Sequence, residues 1–508
     1  MILDNEELTV DSGELTVGQK SPLSTVACPF SSSIVHCPLS ISSSIFHFFL
    51  ILALAVTAFG QSRRAVTPSP AGDERTVKEM FDEANAYRKL KYDDFEKRKV
   101  AVSERLRLQT EREQKQMAAK YAAIASARTE LSPDDIYYLA LLHWIAENLD
   151  GTSESLRKYL SQEGRTPERT QTARSLLSVI ASKQKRYEDA SALLAEYVKN
   201  EPVKAFDKLR MNTELAKAYM SAGEPEKSIP YAAEAFAISR TLVADPSMRS
   251  VGLDLFYDNG IVLFDAYRLT GDAASADNTL EDLRKTVGTN GNSILFYFAA
   301  DKLITYRVES GRKQLALETY LSMLIAATKE LPLEGQREDA VQRLKRREKH
   351  YRLLGEQAPE LASVDKWFPG EPIKIGDLKG KVVLLDFWAT WCGPCFEAFP
   401  HLIEWHNDLT DKGFVILGVT RYYGRDESRP VDEAGEIEFL KRFKAKQKLP
   451  YDFVVGKDQT NQLNYGATAL PTAVLIDRKG VIRYIEAGTS SSRIEDLREM
   501  IVKLLAEK

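Results

Sequence analysis

Residues Lys381–Pro400 read KVVLLDFWATWCGPCFEAFP. The unbroken aliphatic run Val382–Leu385 predicts a buried strand. It stops at Trp391-Cys392-Gly393-Pro394-Cys395, after which a helical pattern begins. Cys392 therefore falls at a strand-to-helix turn, where unpaired backbone N–H groups and the helix dipole stabilise a thiolate. Two cysteines at this spacing can close a disulfide with each other and reopen it, which is redox chemistry rather than stapling. Pro394 suits a first helical turn, where its missing N–H is no loss. The same Cys spacing is also half a zinc site, and a structural disulfide is the other bland reading.

The flanking residues separate these readings. DFWATWCGPC, followed far downstream by Leu470-Pro471-Thr472 and the strand-like AVLIDRKG, resembles the thioredoxin superfamily, and within it the exported TlpA/ResA-like thiol-disulfide oxidoreductases. The resemblance covers roughly the last third of the chain. It implies a central sheet flanked by helices, an exposed nucleophile at Cys392 and a resolving thiol at Cys395. It implies no organic cofactor, and the six scattered histidines offer no metal site.

Asp386 lies six residues before Cys392, inside the strand, where a carboxylate is costly without a use or a partner. The resemblance makes it the general base for Cys395, with a pKa raised by desolvation. A hydrogen-bonded Asp near the strand end is the alternative. By the same resemblance Pro471 is the cis-proline that faces the cysteine pair, and Leu470 offers backbone groups to a substrate strand. Trp391, Gly393 and Pro394 complete the substrate-binding set, and Pro400 corresponds to a kink in the active-site helix. One departure matters: the Glu that such proteins often carry three residues after the second cysteine is Ala398 here. Glu397 sits about 100° round the helix from that place and does not inherit the role. The Gly-Pro dipeptide between the cysteines is the one thioredoxins use, and that resemblance leans toward a reductant.

Around this stretch, residues 355–508 alternate strands and helices as an α/β domain does. Phe414–Thr420 is a second strand, Glu433–Lys446 an amphipathic helix, and Ala473–Asp477 with Val481–Glu486 a hairpin-like pair. Arg493–Leu505 closes the chain as a helix, and Glu427–Gly435 is read as an insertion loop near the site. Gly355–Gly370, holding Pro359 and Pro369, marks the domain boundary.

The chain's 508 residues exceed one domain, and 69 Lys and Arg against 73 Asp and Glu leave a net charge of −4, which implies no nucleic-acid partner. Residues 1–60 read as a leader. Ile45–Phe59 (IFHFFLILALAVTAF) has the length of a signal-peptide apolar segment, short for a membrane span. The long Ser-rich stretch before it and Arg63-Arg64 after it fit that pattern poorly, and translation is expected to start nearer the apolar run. A buried core helix is the bland alternative. Export to the periplasm, free or membrane-anchored, is the expectation. Cys28 and Cys37 precede the run, so removal of the leader leaves only the Cys392/Cys395 pair.

Residues 61–72 form a Pro-containing linker and residues 73–130 a charged helical segment, with Met80, Phe81, Ala84, Tyr87 and Leu90 at helical spacing. Over residues 131–350 helical pairs recur. Leu215, Tyr219, Gly223, Ser228, Ala232 and Ala235 make one copy. Leu263, Tyr267, Gly271, Ala276 and Leu280 make another, and Gly311, Ala316 and Tyr320 a third. An earlier copy carries Leu177, Ala190 and Leu194. These resemble tetratricopeptide (TPR) repeats, with several consensus positions substituted; an irregular helical bundle is the other reading. Basic Arg337–Arg352 is expected to be a solvated connecting helix. The fold class is thus an all-α, repeat-like region followed by a thioredoxin-fold domain. The expected partners are a protein thiol or disulfide, an electron donor in the membrane, and a peptide or protein on the repeats. The competing functional reading is a helical binding scaffold whose redox domain is accessory.

Overall fold

The computed structural model describes residues 8–11, 14–17, 74–368, 370–427 and 429–507. The apolar run Ile45–Phe59, Cys28, Cys37 and the linker of residues 61–72 lie outside the described residues. Among those described, no helix is long and apolar enough to cross a membrane. They divide into two compact units, one ending at Glu224 and the other beginning at Pro225.

The first unit holds an antiparallel strand pair, Leu8–Asp11 (β1) and Glu14–Val17 (β2), and seven helices. These are Val77–Lys97 (α1), Glu104–Ser126 (α2), Pro133–Ile145 (α3), Leu149–Leu160 (α4), Pro167–Lys183 (α5), Tyr187–Lys199 (α6) and Ala205–Ser221 (α7). Their starts are set locally. Thr76, Ser103, Ser132 and Thr166 each place a side-chain oxygen on a first-turn N–H, and Pro133 and Pro167 open their helices. Met80, Phe81 and Ala84 are buried as their spacing predicts, whereas Leu90 at the far end of the same α1 stripe is 61% exposed. Leu177, Ala190, Leu194, Leu215 and Tyr219 are all buried. The hydroxyl of Ser178 on α5 donates to the Ala190 carbonyl on α6 at 2.9 Å, a contact only a small side chain permits.

The second unit begins with six more helices: Pro225–Ala244 (α8), Arg249–Thr270 (α9), Ala273–Thr289 (α10), Ser293–Glu309 (α11), Lys313–Glu330 (α12) and Glu334–Leu353 (α13). Each packs on the next, and α11 also packs on α13, as in a run of helical hairpins. The small residues Ser228, Ala232, Ala235, Ala276 and Ala316 are fully buried where helices approach. Gly271 ends α9 in the left-handed region at φ 81°, where a side chain would be strained.

The α/β part is a six-stranded mixed sheet. Its strands are Val364–Phe368 (β3), Val382–Phe387 (β4), Phe414–Arg421 (β5), Asp452–Gly456 (β8), Thr472–Ile476 (β9) and Ile482–Ala487 (β10). Between β5 and β8, Arg425–Asp426 (β6) and Arg429–Pro430 (β7) form a separate small pair; β7 lies inside the segment Glu427–Gly435 read as an insertion loop and β6 just before it. The order is β10-β9-β4-β5-β8-β3, with β4, β5 and β8 parallel and the rest antiparallel to their neighbours. Four helices accompany it: Gly393–Leu409 (α14), Glu433–Gln447 (α15), Thr460–Tyr465 (α16) and Ser491–Ala506 (α17). Strand β4 is buried at every position, and its residues alternate between two cores. Val382 and Leu384 face a cluster with Trp388, Phe399, Phe443 and Ile501, while Val383, Leu385 and Phe387 face one with Leu417, Tyr465 and Ile485.

One reading of the sequence is corrected here, that of the basic stretch Arg337–Arg352. The segment Gly355–Gly370, the first part of the expected domain of residues 355–508, is stitched to the sheet at both edges. Gly355 N–H donates to the Ile482 carbonyl at 2.8 Å, Gln357 bridges to Val481, and β3 pairs with β8. The basic stretch Arg337–Arg352 is not simply solvated, because Ala340, Leu344, Arg347, His350 and Tyr351 are buried. The Arg347 guanidinium donates to Asp301 Oδ1 at 3.0 Å and to the Ile485 carbonyl at 2.9 Å. Those partners lie far away in sequence, so local charge counting could not reveal them. Leu353, Leu354 and Val308 close over the second core. The expected domain of residues 355–508 thus sits inside a larger compact unit.

A fragment beginning at residue 355 should accordingly melt below one beginning at Pro225, by at least about 5 °C in a calorimetric scan. Equal melting temperatures would mean that α13 adds nothing to the sheet's stability.

Candidate active site

Strand β4 delivers the chain to the site, and the start of α14 shapes it. Cys392 is the N-cap of α14, and its Sγ accepts the Cys395 N–H at 3.3 Å. The two cysteines are joined as a disulfide with 5.3 Å between their Cα atoms. Gly393 and Pro394 occupy the exposed first turn between them. Cys392 departs from the expectation of an exposed nucleophile: it is 4% exposed and Cys395 1%. Its sulfur turns inward to its partner and into the cluster with Trp388 and Phe399. The open groups beside it are Trp391, 51% exposed, and Phe396, 37%. Ala398 packs into the same cluster, while Glu397 is exposed and accepts from the Thr489 hydroxyl at 3.1 Å. Pro400 lies inside α14 on its exposed side.

Trp391 is braced by residues that the sequence did not single out. Its ring stands edge-on to Tyr423, with centroids 5.4 Å apart, and the Arg421 guanidinium lies 4.3 Å from the Tyr423 centroid. Gln462 locks that stack, accepting from Arg421 Nε at 3.0 Å and donating to the Tyr423 hydroxyl at 3.1 Å. The buried Glu436 carboxylate holds the Tyr423 and Gly424 N–H groups at 2.8–3.1 Å. The only local signal was the aromatic pair Tyr422-Tyr423 at the end of a strand.

Strand alternation puts Asp386 on the Leu384 and Trp388 face, the face against which both cysteines pack. It is 4% exposed, and its Oδ2 has no hydrogen-bond partner. Burial alone pushes its pKa up to about 7. The Tyr451 hydroxyl, also buried and unpartnered, is pushed well above its usual range by burial and then by the Asp386 charge. Asp386 pairs in register with Gly418 on β5. A Cβ at that glycine would come within 2.8 Å of Trp388 Nε1, so only glycine lets the indole lie there.

On the other side of β4, Phe387 pairs with Thr472, which brings Pro471 beside the loop leading to Cys392. The Leu470–Pro471 bond is cis, and half-buried Leu470 packs against the cluster containing both cysteines. The Pro471 carbonyl accepts from Gly488 N–H at 2.9 Å. All eight residues picked from the sequence therefore gather at one end of β4 and β9. Among the described residues, no three His, Cys, Asp or Glu side chains converge as metal ligands would.

A dithiol pair capping the helix that follows the central strand of such a sheet, with a cis-proline opening the next strand, is the arrangement of thioredoxin-fold disulfide exchangers. Comparison with known proteins agrees. Residues 353–501 match the Redoxin family. The chain is 30% identical over 149 residues to the thiol-disulfide oxidoreductase ResA of Halalkalibacterium halodurans, covering 29% of this chain and 76% of that protein. It is 30% identical over 142 residues to protein DipZ of Mycobacterium tuberculosis, covering 27% of this chain but only 19% of DipZ. Among solved structures, the thioredoxin domain of a Bacteroides vulgatus thiol-disulfide oxidoreductase is 26% identical, covering 29% of this chain and 97% of that one, with a TM-score of 0.24. Through this domain the chain belongs to the redoxin family, and the domain is a thiol-disulfide oxidoreductase.

The Asp386 carboxyl has a measurable consequence. Its folded pKa, about 7, lies above the ordinary aspartate value of 3.8, so the native protein holds the extra proton between those limits. Stability therefore falls as pH rises through that window and is flat above it. Asp386→Asn lacks this titration. In the oxidised state it should match the wild type near pH 4 and exceed it by up to roughly 4 kcal/mol by pH 8, at about 1.4 kcal/mol per unit. Denaturant melts across pH check this, and a pH-independent difference would exclude Asp386 as a buried titrating group.

Proposed function

We propose that this chain is an exported oxidoreductase that reduces disulfides in partner proteins, and that its helical region is a TPR-like array holding a peptide or protein partner. The observation that carries the catalytic part is the Cys392 sulfur at the α14 N-cap, beside a buried carboxyl with an unpartnered oxygen on the same face. When the disulfide is open, the Cys395 N–H and the helix dipole stabilise a Cys392 thiolate. That thiolate attacks one sulfur of a substrate disulfide and expels the other as a thiolate, leaving a mixed disulfide. Cys395 gives its proton to Asp386 and attacks the Cys392 sulfur. The second substrate thiolate leaves, both substrate thiolates take up protons, and two electrons have passed to the substrate. The Cys392–Cys395 disulfide that remains is reset by a dithiol donor at the membrane.

The direction of flow rests on the Gly393-Pro394 dipeptide. Export rests on the apolar run Ile45–Phe59 and the small residues Ala58 and Gly60 at its end. The partner-binding reading rests on the hairpin-like succession of helices and their buried small residues.

The deciding measurement is the reduction potential of the Cys392/Cys395 couple in thiol buffers. A value near the ~−270 mV of thioredoxin is expected, and one near the ~−120 mV of DsbA would make the protein a disulfide donor instead. In parallel, Cys395→Ala should accumulate a mixed disulfide through Cys392. Asp386→Asn should slow its resolution about tenfold or more near neutral pH. An unchanged resolution rate removes Asp386 from the mechanism.

A further inference from the structure

Two buried side chains of α13 reach backbone on either side of Pro471, His350 at Gly466 after α16 and Arg347 at Ile485 in β10. Arg347, besides its bonds to Asp301 and the Ile485 carbonyl, sets its Nη1 3.0 Å from His350 Nδ1. A guanidinium has only donors, so Nδ1 accepts, and the ring proton must sit on Nε2. Nε2 then donates to the Gly466 carbonyl at 2.9 Å. Burial and the neighbouring guanidinium lower the His350 pKa to about 4, in keeping with a neutral ring. Gly466 is a left-handed cap at φ 69°, and a Cβ there would fall 2.8 Å from His350 Cδ2. The imidazole and the glycine are therefore matched in shape as well as in hydrogen bonding.

From Gly466 the chain runs through Thr468, whose N–H returns to the Gly466 carbonyl at 2.9 Å, to the cis bond at Pro471. The far side of Pro471 is tied to Gly488, just beyond β10, and Arg347 holds β10 at Ile485. The α13 pair thus grips the start of the Pro471 loop and the strand that anchors its end.

We propose that His350 and Arg347 are positioning residues for disulfide exchange: they hold residues 466–471 so that the backbone beside Pro471 is presented to a protein substrate, and helices α8–α13 thereby set the affinity of the redox site. This rests on the reading of the Pro471 loop as the substrate-binding edge. A protein substrate lies along that loop, whereas a small disulfide needs only the sulfurs, so the clamp acts on KM for proteins alone.

The test uses the full chain and dithiothreitol as reductant, with insulin as the protein disulfide and 5,5′-dithiobis(2-nitrobenzoic acid) as the small one. His350→Phe keeps the ring but lacks the donor, while His350→Gln restores an N–H toward Gly466. His350→Phe is expected to raise KM for insulin about fivefold, with kcat and the small-disulfide rate within about twofold of wild type. His350→Gln should recover most of the loss. An unchanged insulin KM, a parallel loss on both disulfides, or a Gln variant as impaired as the Phe variant would overturn the clamp. Wild-type protein inactive on both disulfides would overturn the oxidoreductase reading itself, and the clamp with it.

Discussion

Because strand β4 is buried on both faces, each side of it must be covered, and the two covers do different work. On one side α14 and α15 bring the cysteines, Phe399 and Phe443 over Leu384 and Trp388. That dry cover is what makes Asp386 expensive to ionise. On the other side the core around Val383, Leu385 and Phe387 is completed by Tyr465, by Leu354 at the end of α13 and by Val308 of α11. A redox domain cut at its sequence boundary would leave part of that face to solvent.

The two buried charges near this strand are handled in opposite ways. Asp386 can shed its cost by taking a proton, so it needs no counterion, and its Oδ2 is left without a partner. Arg347 cannot lose its charge, and it is surrounded by acceptors: Asp301 at 3.0 Å, the Ile485 carbonyl and, at 3.7 Å, Glu486. The neutral carboxyl is suited to moving protons. The fixed cation, with its Nε and Nη1 aimed at acceptors, is suited to holding backbone in place. The same contrast separates Trp391, exposed on a locked Tyr423–Arg421 stack, from the cysteines buried behind it.

Much of the site was legible because its signals are local. Cys392, Gly393, Pro394 and Cys395 are contiguous, Asp386 interrupts an apolar strand, and Leu470-Pro471-Thr472 precedes another. The helical pairs were legible for a similar reason, since small residues recur at contact spacing and are buried. Strands β3 and β8 were missed. The first is a half-exposed edge strand lacking an apolar run, and the second has only Phe453-Val454-Val455 as its apolar run. Leu90 fitted a helical stripe but stays exposed in the fold. Gly418 carried no signal at all, because the need for glycine there comes from Trp388, thirty residues away.

By itself the sequence determined the redox dithiol, its place at a helix start, the α/β character of the last third and the helical character of what precedes it. All of these depend on residues within a turn or two of one another. Tertiary structure alone decided how buried Cys392 is, how far Asp386 is desolvated, and that a basic helix read as solvated lays Arg347 and His350 onto the Pro471 loop. The last of these joins partners more than a hundred residues apart, as His350 and Gly466 are. Burial and hydrogen bonding are set by what the folded chain brings near, which no local pattern records.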